Sequence, residues 1–194
     1  ILFFTDTGKV YRKKGYQIPE SGKTAKGTNI VNILQVEQGE RIQTMVHFRD
    51  FTEDEVYLFM VTRNGTVKRL AASALKNIRA SGIRALRLDE GDELISVRET
   101  DGKQNILIAT HDGMAVCFDE NDVRAMGRDA VGVRGIRLRD GDYVVGAARA
   151  AEGKCLLSIT EKGYGKRTPV EEYRITNRGG IGIKNYMVTE KTGP

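Results

Sequence analysis

Tryptophan is absent from the 194-residue chain, proline occurs three times and cysteine twice. Two cysteines, Cys117 and Cys155, cannot build a disulfide framework, and their separation is not a metal-ligand spacing. Each lies on or beside an apolar strand pattern, so both are expected to be core thiols. No apolar run reaches about 18 residues, which excludes a membrane-spanning helix, and no membrane partner is expected. Ile1-Leu2-Phe3-Phe4 opens the chain without Met or a basic segment, so it does not read as a secretory signal. It reads instead as a cut at the edge of a strand, and a reducing cytoplasm is the expected compartment. His47 and His111 have no cysteine or carboxylate cluster recurring beside them, and no nucleophile–base pair stands out. Catalytic residues, a metal site and a bound cofactor are therefore not expected on this chain.

What the chain does have is glycine, 22 residues of it, in a chain that is 40% hydrophobic and 29% charged. That composition can bury a core. The glycines mark an internal repeat. Thr-x-x-Gly occurs at Thr5–Gly8, Thr62–Gly65, Thr110–Gly113 and Thr160–Gly163. A second glycine beside acidic residues follows at Gly39, Gly91 and Gly141, and Gly193 takes that place without the acids. Between them lies Gly-x-[Asn/Arg/Lys], at Gly27, Gly82, Gly132 and Gly182. Three anchors recur in one order four times, which gives repeats of roughly 1–55, 56–104, 105–153 and 154–194.

Each repeat reads as strands. An apolar run such as Val56–Val61 enters the Thr-x-x-Gly turn, and a second strand, Thr66–Leu70, leaves it. A third (Ile83–Leu88) and a fourth (Leu94–Arg98) flank the Glu-Gly-Asp turn. Four strands per ~50 residues predict an all-β, propeller-like fold, with only Ala71–Lys76 able to form a turn or two of helix. The Asp140-Gly141-Asp142 and Glu90-Gly91-Asp92 segments lack the ligands of a calcium loop and read as tight turns. Gly163-Tyr164-Gly165-Lys166-Arg167 has no phosphate-loop spacing.

The formal charge is +5, spread unevenly: 0, +3, −2 and +4 over the four repeats. Basic residues fall at equivalent places. Arg12, Arg69 and Arg167 stand four residues after the turn glycine, with Lys13, Lys68 and Lys166 beside them. Lys23, Arg79, Arg128 and Arg178 precede the Gly-x-[Asn/Arg/Lys] marker, while Arg84, Arg134 and Lys184 follow its glycine by two. Lys26, Lys76 and Arg174 add to the same stretches. Positions that repeat with the blades lie at one radius, so these side chains form a belt of cations suited to duplex phosphates. Bending the duplex brings further phosphates onto such a belt.

The segments Glu161–Pro169, Asn177–Lys184, Gly15–Pro19 through Gly27, and Val131–Ile136, together with the repeat, resemble the C-terminal domain family of the DNA gyrase A protein. The resemblance covers the whole chain. It implies a β-pinwheel whose blades exchange strands and whose basic edge binds, bends and wraps double-stranded DNA without regard to sequence. It also implies a bacterial A2B2 holoenzyme, made with the rest of gyrase A and with gyrase B, that supercoils DNA using ATP and magnesium on other domains. The family's Gln-Arg-Arg-Gly-Gly-Lys-Gly box is matched only at Arg178, Gly179, Gly180 and Gly182, with Ile181 in the lysine's place. The chain is accordingly expected to lack the first blade. Arg178, Gly179 and Gly180 form the sharpest local candidate, because adjacent glycines let a backbone approach phosphates beside an arginine fork. Two other readings are open: the related C-terminal domain of the topoisomerase IV A-type protein, and a protein-binding propeller whose charges serve solubility.

Overall fold

The computed structural model describes residues 1–48, 51 and 55–194. The first repeat contributes β1 (Leu2–Thr5), β2 (Lys9–Arg12) and β3 (Ile42–Val46). The second gives β4 (Tyr57–Thr62), β5 (Thr66–Ala71), β6 (Ile83–Arg84) and β7 (Leu94–Thr100). The third gives β8 (Asn105–Thr110), β9 (Met114–Asp119), β10 (Val133–Arg134) and β11 (Val144–Arg149). The fourth gives β12 (Cys155–Ile159), β13 (Gly165–Pro169) and β14 (Ile183–Lys184). The helical content of the described residues is short 3-10 turns, among them Ala72–Leu75 inside the segment expected to turn.

No sheet belongs to one repeat, apart from the closing hairpin. The strand orders are β3-β1-β2-β6, β7-β4-β5-β10 and β11-β8-β9-β14, followed by the hairpin β12-β13. The two-residue strands β6, β10 and β14 each close the sheet of the repeat before them. All pairings within these sheets are antiparallel. The third strand of a repeat is thus far shorter than the Ile83–Leu88 run suggests. The reason is local: the N–H groups of Ala85 and Leu86 both turn to the carbonyl of Gly8 and leave the ladder.

That contact recurs. Gly65 O accepts from Gly135 and Ile136, and Gly113 O accepts from Asn185 and Tyr186. The turn that presents each carbonyl is built identically. The glycine N–H donates to the threonine carbonyl at 3.1 Å in repeats one to three and 2.9 Å in repeat four. The threonine Oγ1 accepts the N–H four residues on, in Lys9, Thr66, Met114 and Tyr164. An acidic residue next to the second glycine braces the turn from outside. Asp92 Oδ1 accepts the Asn64 N–H, Asp142 Oδ1 accepts the Asp112 N–H, and Glu40 Oε1 accepts the Thr7 hydroxyl. The acid–glycine turns are therefore occupied by the fold's own donors.

Packing follows the sheets. Leu58 and Met60 of β4 join Leu2, Phe4 and Val10 in one core, while Phe59 and Val61 join Ile106, Ile108, Val116 and Phe118 in the next. The inner first strand β4 is apolar on both faces because its sheet is packed on both sides. The strand β12 departs from this, with Leu157 and Ile159 exposed. Cys117 is buried, as expected, but Cys155 at the start of β12 is exposed, which corrects its assignment as a core thiol.

The turn glycines give a test of the junction. Gly113 has φ of +79°, and a Cβ there would press on the Tyr186 carbonyl; Gly163 has φ of +82° with open space around it. Gly163→Ala should cost only backbone strain, about 1–2 kcal/mol. Gly113→Ala adds the overlap and should cost about 3 kcal/mol or more. Urea unfolding of the two variants measures the difference, and equal losses would remove the junction argument.

Candidate nucleic-acid interface

Arg84, Arg134 and Lys184 pair across from Lys9, Thr66 and Met114, one on the outer strand of each four-stranded sheet, and all three are exposed. Between the first and second repeats the backbone leaves a cleft of about 720 Å³ lined by Arg12, Asn77, Ile78, Arg79, Gly82, Ile83, Arg84 and Arg128. Four arginines from three repeats converge there. Arg12 is held by donating to the Lys76 carbonyl at 3.2 Å, with its guanidinium 5.6 Å from the Phe51 ring centroid. Gly82 must be glycine here: its φ is +76°, and a Cβ would lie 2.8 Å from the Tyr11 ring. A cleft lined by several guanidinium forks and no carboxylate is suited to anionic oxygens.

Other candidates are exposed without converging. Lys23 and Lys26 lie on the long loop of the first repeat, Lys76 beside the cleft, and Arg167 and Arg174 on the fourth repeat. Lys13 is half-buried. Lys166 is exposed and reaches the Asn185 carbonyl at 3.3 Å.

Lys68 and Arg69 are corrections. The Lys68 side chain is completely buried, and its ammonium donates to the carbonyls of Ala85 (2.9 Å), Arg128 (2.7 Å) and Ala130 (3.0 Å). It joins the second repeat to the third and presents nothing to a ligand. Arg69 turns inward too: its Nη1 donates to Asn121 Oδ1 at 2.8 Å and lies 3.6 Å from buried Glu120, while the guanidinium stacks 4.7 Å from the Tyr57 ring centroid. The third residue after the turn glycine is buried in the first three repeats, as Tyr11, Lys68 and Val116.

The box-like loop also has structural work. Arg178 donates through Nε to the Asp122 carbonyl at 2.8 Å and through Nη1 to the Arg134 carbonyl at 3.0 Å. Gly179 donates to Gly135 O, and Gly180 O accepts from Arg137. The loop clamps the fourth repeat onto the third, so Arg178 can offer a phosphate only the remainder of its fork. Of the exposed arginines not expected from the sequence, Arg87 and Arg137 share an offset, each five residues after its Gly-x-[Asn/Arg/Lys] glycine. Their equal offset was the available signal.

Elsewhere on the molecule, His111, Asp112 and Asp142 lie close enough to share a cation. Asp142 Oδ1 is already accepting the Asp112 and Tyr143 N–H groups, and His111 stacks on Tyr143. The cluster is explained by the turn it braces.

Burial pulls the Lys68 ammonium down to about 8 from 10.5, with Asp129 opposing the shift. Between those values the unfolded chain holds a proton that the native chain has released, so the Lys68 contribution to stability increases as pH rises through this window. Lys68→Met takes the ammonium from three carbonyls, leaving Ala130 O only the Arg87 N–H at 3.4 Å, and should cost about 2–4 kcal/mol at neutral pH. In thermal melts the gap between the parent and Lys68→Met should widen from pH 8 upward; a gap that stays level would mean that the carbonyls hold the lysine at its ordinary value.

Known proteins share this architecture. The family model described as "DNA gyrase C-terminal domain, beta-propeller" matches residues 1–47, 57–101, 104–151 and 156–192. The DNA gyrase A protein of Clostridium acetobutylicum is 49% identical over 193 residues, covering 100% of this chain and 23% of that protein. The Staphylococcus epidermidis gyrase A protein is 46% identical over 195 residues, covering 100% of this chain and 22% of that protein. The chain therefore spans under a quarter of the length of these relatives. Among solved structures, a DNA gyrase A C-terminal domain superposes with a TM-score of 0.82 at 27% identity, covering 99% of this chain and 62% of that one. The C-terminal domain of DNA topoisomerase IV superposes with a TM-score of 0.85 at 30% identity, covering 94% of this chain and 57% of that one.

Proposed function

The chain belongs to the DNA gyrase C-terminal domain family, and on that premise we propose that its outer rim binds and bends duplex DNA as the non-catalytic wrapping module of a gyrase A protein. The observation that carries the reading is the four-arginine cleft between the first two repeats, extended by Arg134 and Lys184 on successive outer strands. These groups are fixed by backbone that the neighbouring repeat holds in place. They meet phosphates and carry no base-reading geometry, so binding is indifferent to sequence. A rim that turns from sheet to sheet engages more phosphates when the duplex curves with it.

In this reading the partners are double-stranded DNA, the remainder of gyrase A, and gyrase B in an A2B2 assembly. ATP and magnesium act elsewhere in that assembly, and the work takes place in the bacterial cytoplasm on the chromosome. The gyrase reading is supported by 49% identity along the whole chain to a gyrase A protein.

Equilibrium binding to duplexes of roughly 20 and 100 bp across salt tests the proposal. Contact with about five phosphates should give a log–log slope near −4 to −5, with tighter binding of the longer duplex. Arg79→Ala, Arg84→Ala and Arg134→Ala should each reduce the slope by about 1, whereas Lys68→Met should leave it unchanged. Weak binding that ignores salt would overturn the DNA reading in favour of a protein partner.

A further inference from the structure

The first repeat carries an exposed aromatic side chain in a basic stretch whose counterparts have none. Between β2 and Gly27 the chain runs through Lys13, Lys14, Tyr16, Lys23 and Lys26 with a single acid, Glu20. Tyr16 is 80% exposed, the highest value among the exposed large hydrophobic side chains of the described residues. A solitary surface tyrosine is ordinary. Three features set this one apart.

It is held rigidly. Gly15–Gln17 forms a 3-10 turn in which the Gln17 N–H donates to Lys14 O at 3.0 Å and the Ile18 N–H to Gly15 O at 3.1 Å. The Gln17 side chain accepts the Lys14 N–H at 3.1 Å. Ile18, next in the chain, packs with Ile30, Ile33 and Val36 against Phe3, Tyr11 and Leu34, which pins the turn to the first sheet. The aromatic tip thus stands on a fixed base, and less entropy is lost when it meets a ligand.

It has a cation near its ring and belongs to a basic segment. The Lys14 ammonium lies 5.7 Å from the ring centroid, and Arg12, four residues earlier, lines the arginine cleft. It is also singular. The corresponding stretches of the other repeats, residues 72–81, 120–131 and 170–181, contain one aromatic residue, Tyr173, and that one is buried.

The geometry points to Tyr16 as an aromatic wedge for duplex DNA, its ring packing on sugar and base edges in a groove while the surrounding lysines hold the flanking phosphates. This inference rests on the DNA reading and adds an apolar contact to it. An amphipathic ring offers an apolar face and a hydroxyl to the groove, and side chains inserted at a base step favour a bent duplex.

The absence of tryptophan makes the test direct, because Tyr16→Trp introduces the only indole in the chain. A duplex of roughly 100 bp, labelled at both ends, reports binding by anisotropy and bending by energy transfer. On saturation with this duplex, the emission of the Tyr16→Trp chain should be quenched and shielded from acrylamide. Tyr16→Ala should weaken binding by about tenfold and reduce bending, with the salt slope unchanged because no charge is lost. If the duplex binds with a steep salt slope while the indole emission and its acrylamide quenching stay as in the free chain, the wedge is overturned and the DNA reading stands. If no duplex binds even at low salt, both fall. Shielding of the indole by the rest of gyrase A and not by the duplex would also overturn the wedge.

Discussion

The structure depends on one carbonyl per junction. Gly8, Gly65 and Gly113 each end a Thr-x-x-Gly turn with a positive φ, and each carbonyl receives two N–H groups from the repeat that follows. Those two bonds deflect the incoming chain after only two residues of strand, so β6, β10 and β14 are short and belong to the preceding sheet. A repeat alone would leave an open edge on the second strand of its sheet, with unpaired backbone groups. Strand exchange covers that edge with the neighbour, and none of the first three repeats completes its sheet without the next. The same glycines cannot be replaced cheaply at the junctions, since a Cβ on Gly8 would lie 2.6 Å from the Leu86 carbonyl oxygen.

This arrangement decides which charges face outward. The exchanged strand lies outermost, and Arg84, Arg134 and Lys184 extend from it into solvent. One strand further in, the same arrangement traps side chains. Lys68 lies between two sheets, and its three carbonyl partners come from its own repeat and from the next. A buried ammonium survives only with such partners, since desolvating an unpaired one costs on the order of several kcal/mol. Junction and rim therefore compete for basic residues, and partners from the next repeat allot them.

Much of the architecture was legible because a repeat is a strong signal even where each copy is weak. The period, the all-β class and the apolar first strands all follow from the spacing of threonine and glycine. The partnering of strands between repeats does not, because β6 and β10 carry the same local pattern whichever sheet they join. Site residues were harder for a related reason. The Lys-Arg pairs at Lys68-Arg69 and Lys166-Arg167 are identical in sequence and in offset from the turn glycine, yet the first pair is buried and the second exposed. The difference lies in contacts from the third repeat, Arg128, Ala130, Glu120 and Asn121, none of which is local to the pair. The arginines of the cleft, by contrast, were readable as repeat positions, although their convergence required the fold.

The junctions are not equivalent, and that inequality shapes the rim. At the first junction Arg12 faces the cleft beside Arg79, Arg84 and Arg128. At the second, the residue in Arg12's place is Arg69, drawn inward by Glu120 and Asn121. At the third the place belongs to Cys117, which is buried, and Arg178 spends two of its nitrogens on backbone carbonyls. The cationic surface therefore converges where the first two repeats meet, thins at the third repeat with its net charge of −2, and returns on the fourth with exposed Lys166, Arg167, Arg174 and Lys184. On the proposed reading, this uneven spacing favours an initial grip at the first junction, where four guanidinium groups converge, followed by bending along outer strands whose cations are singly spaced.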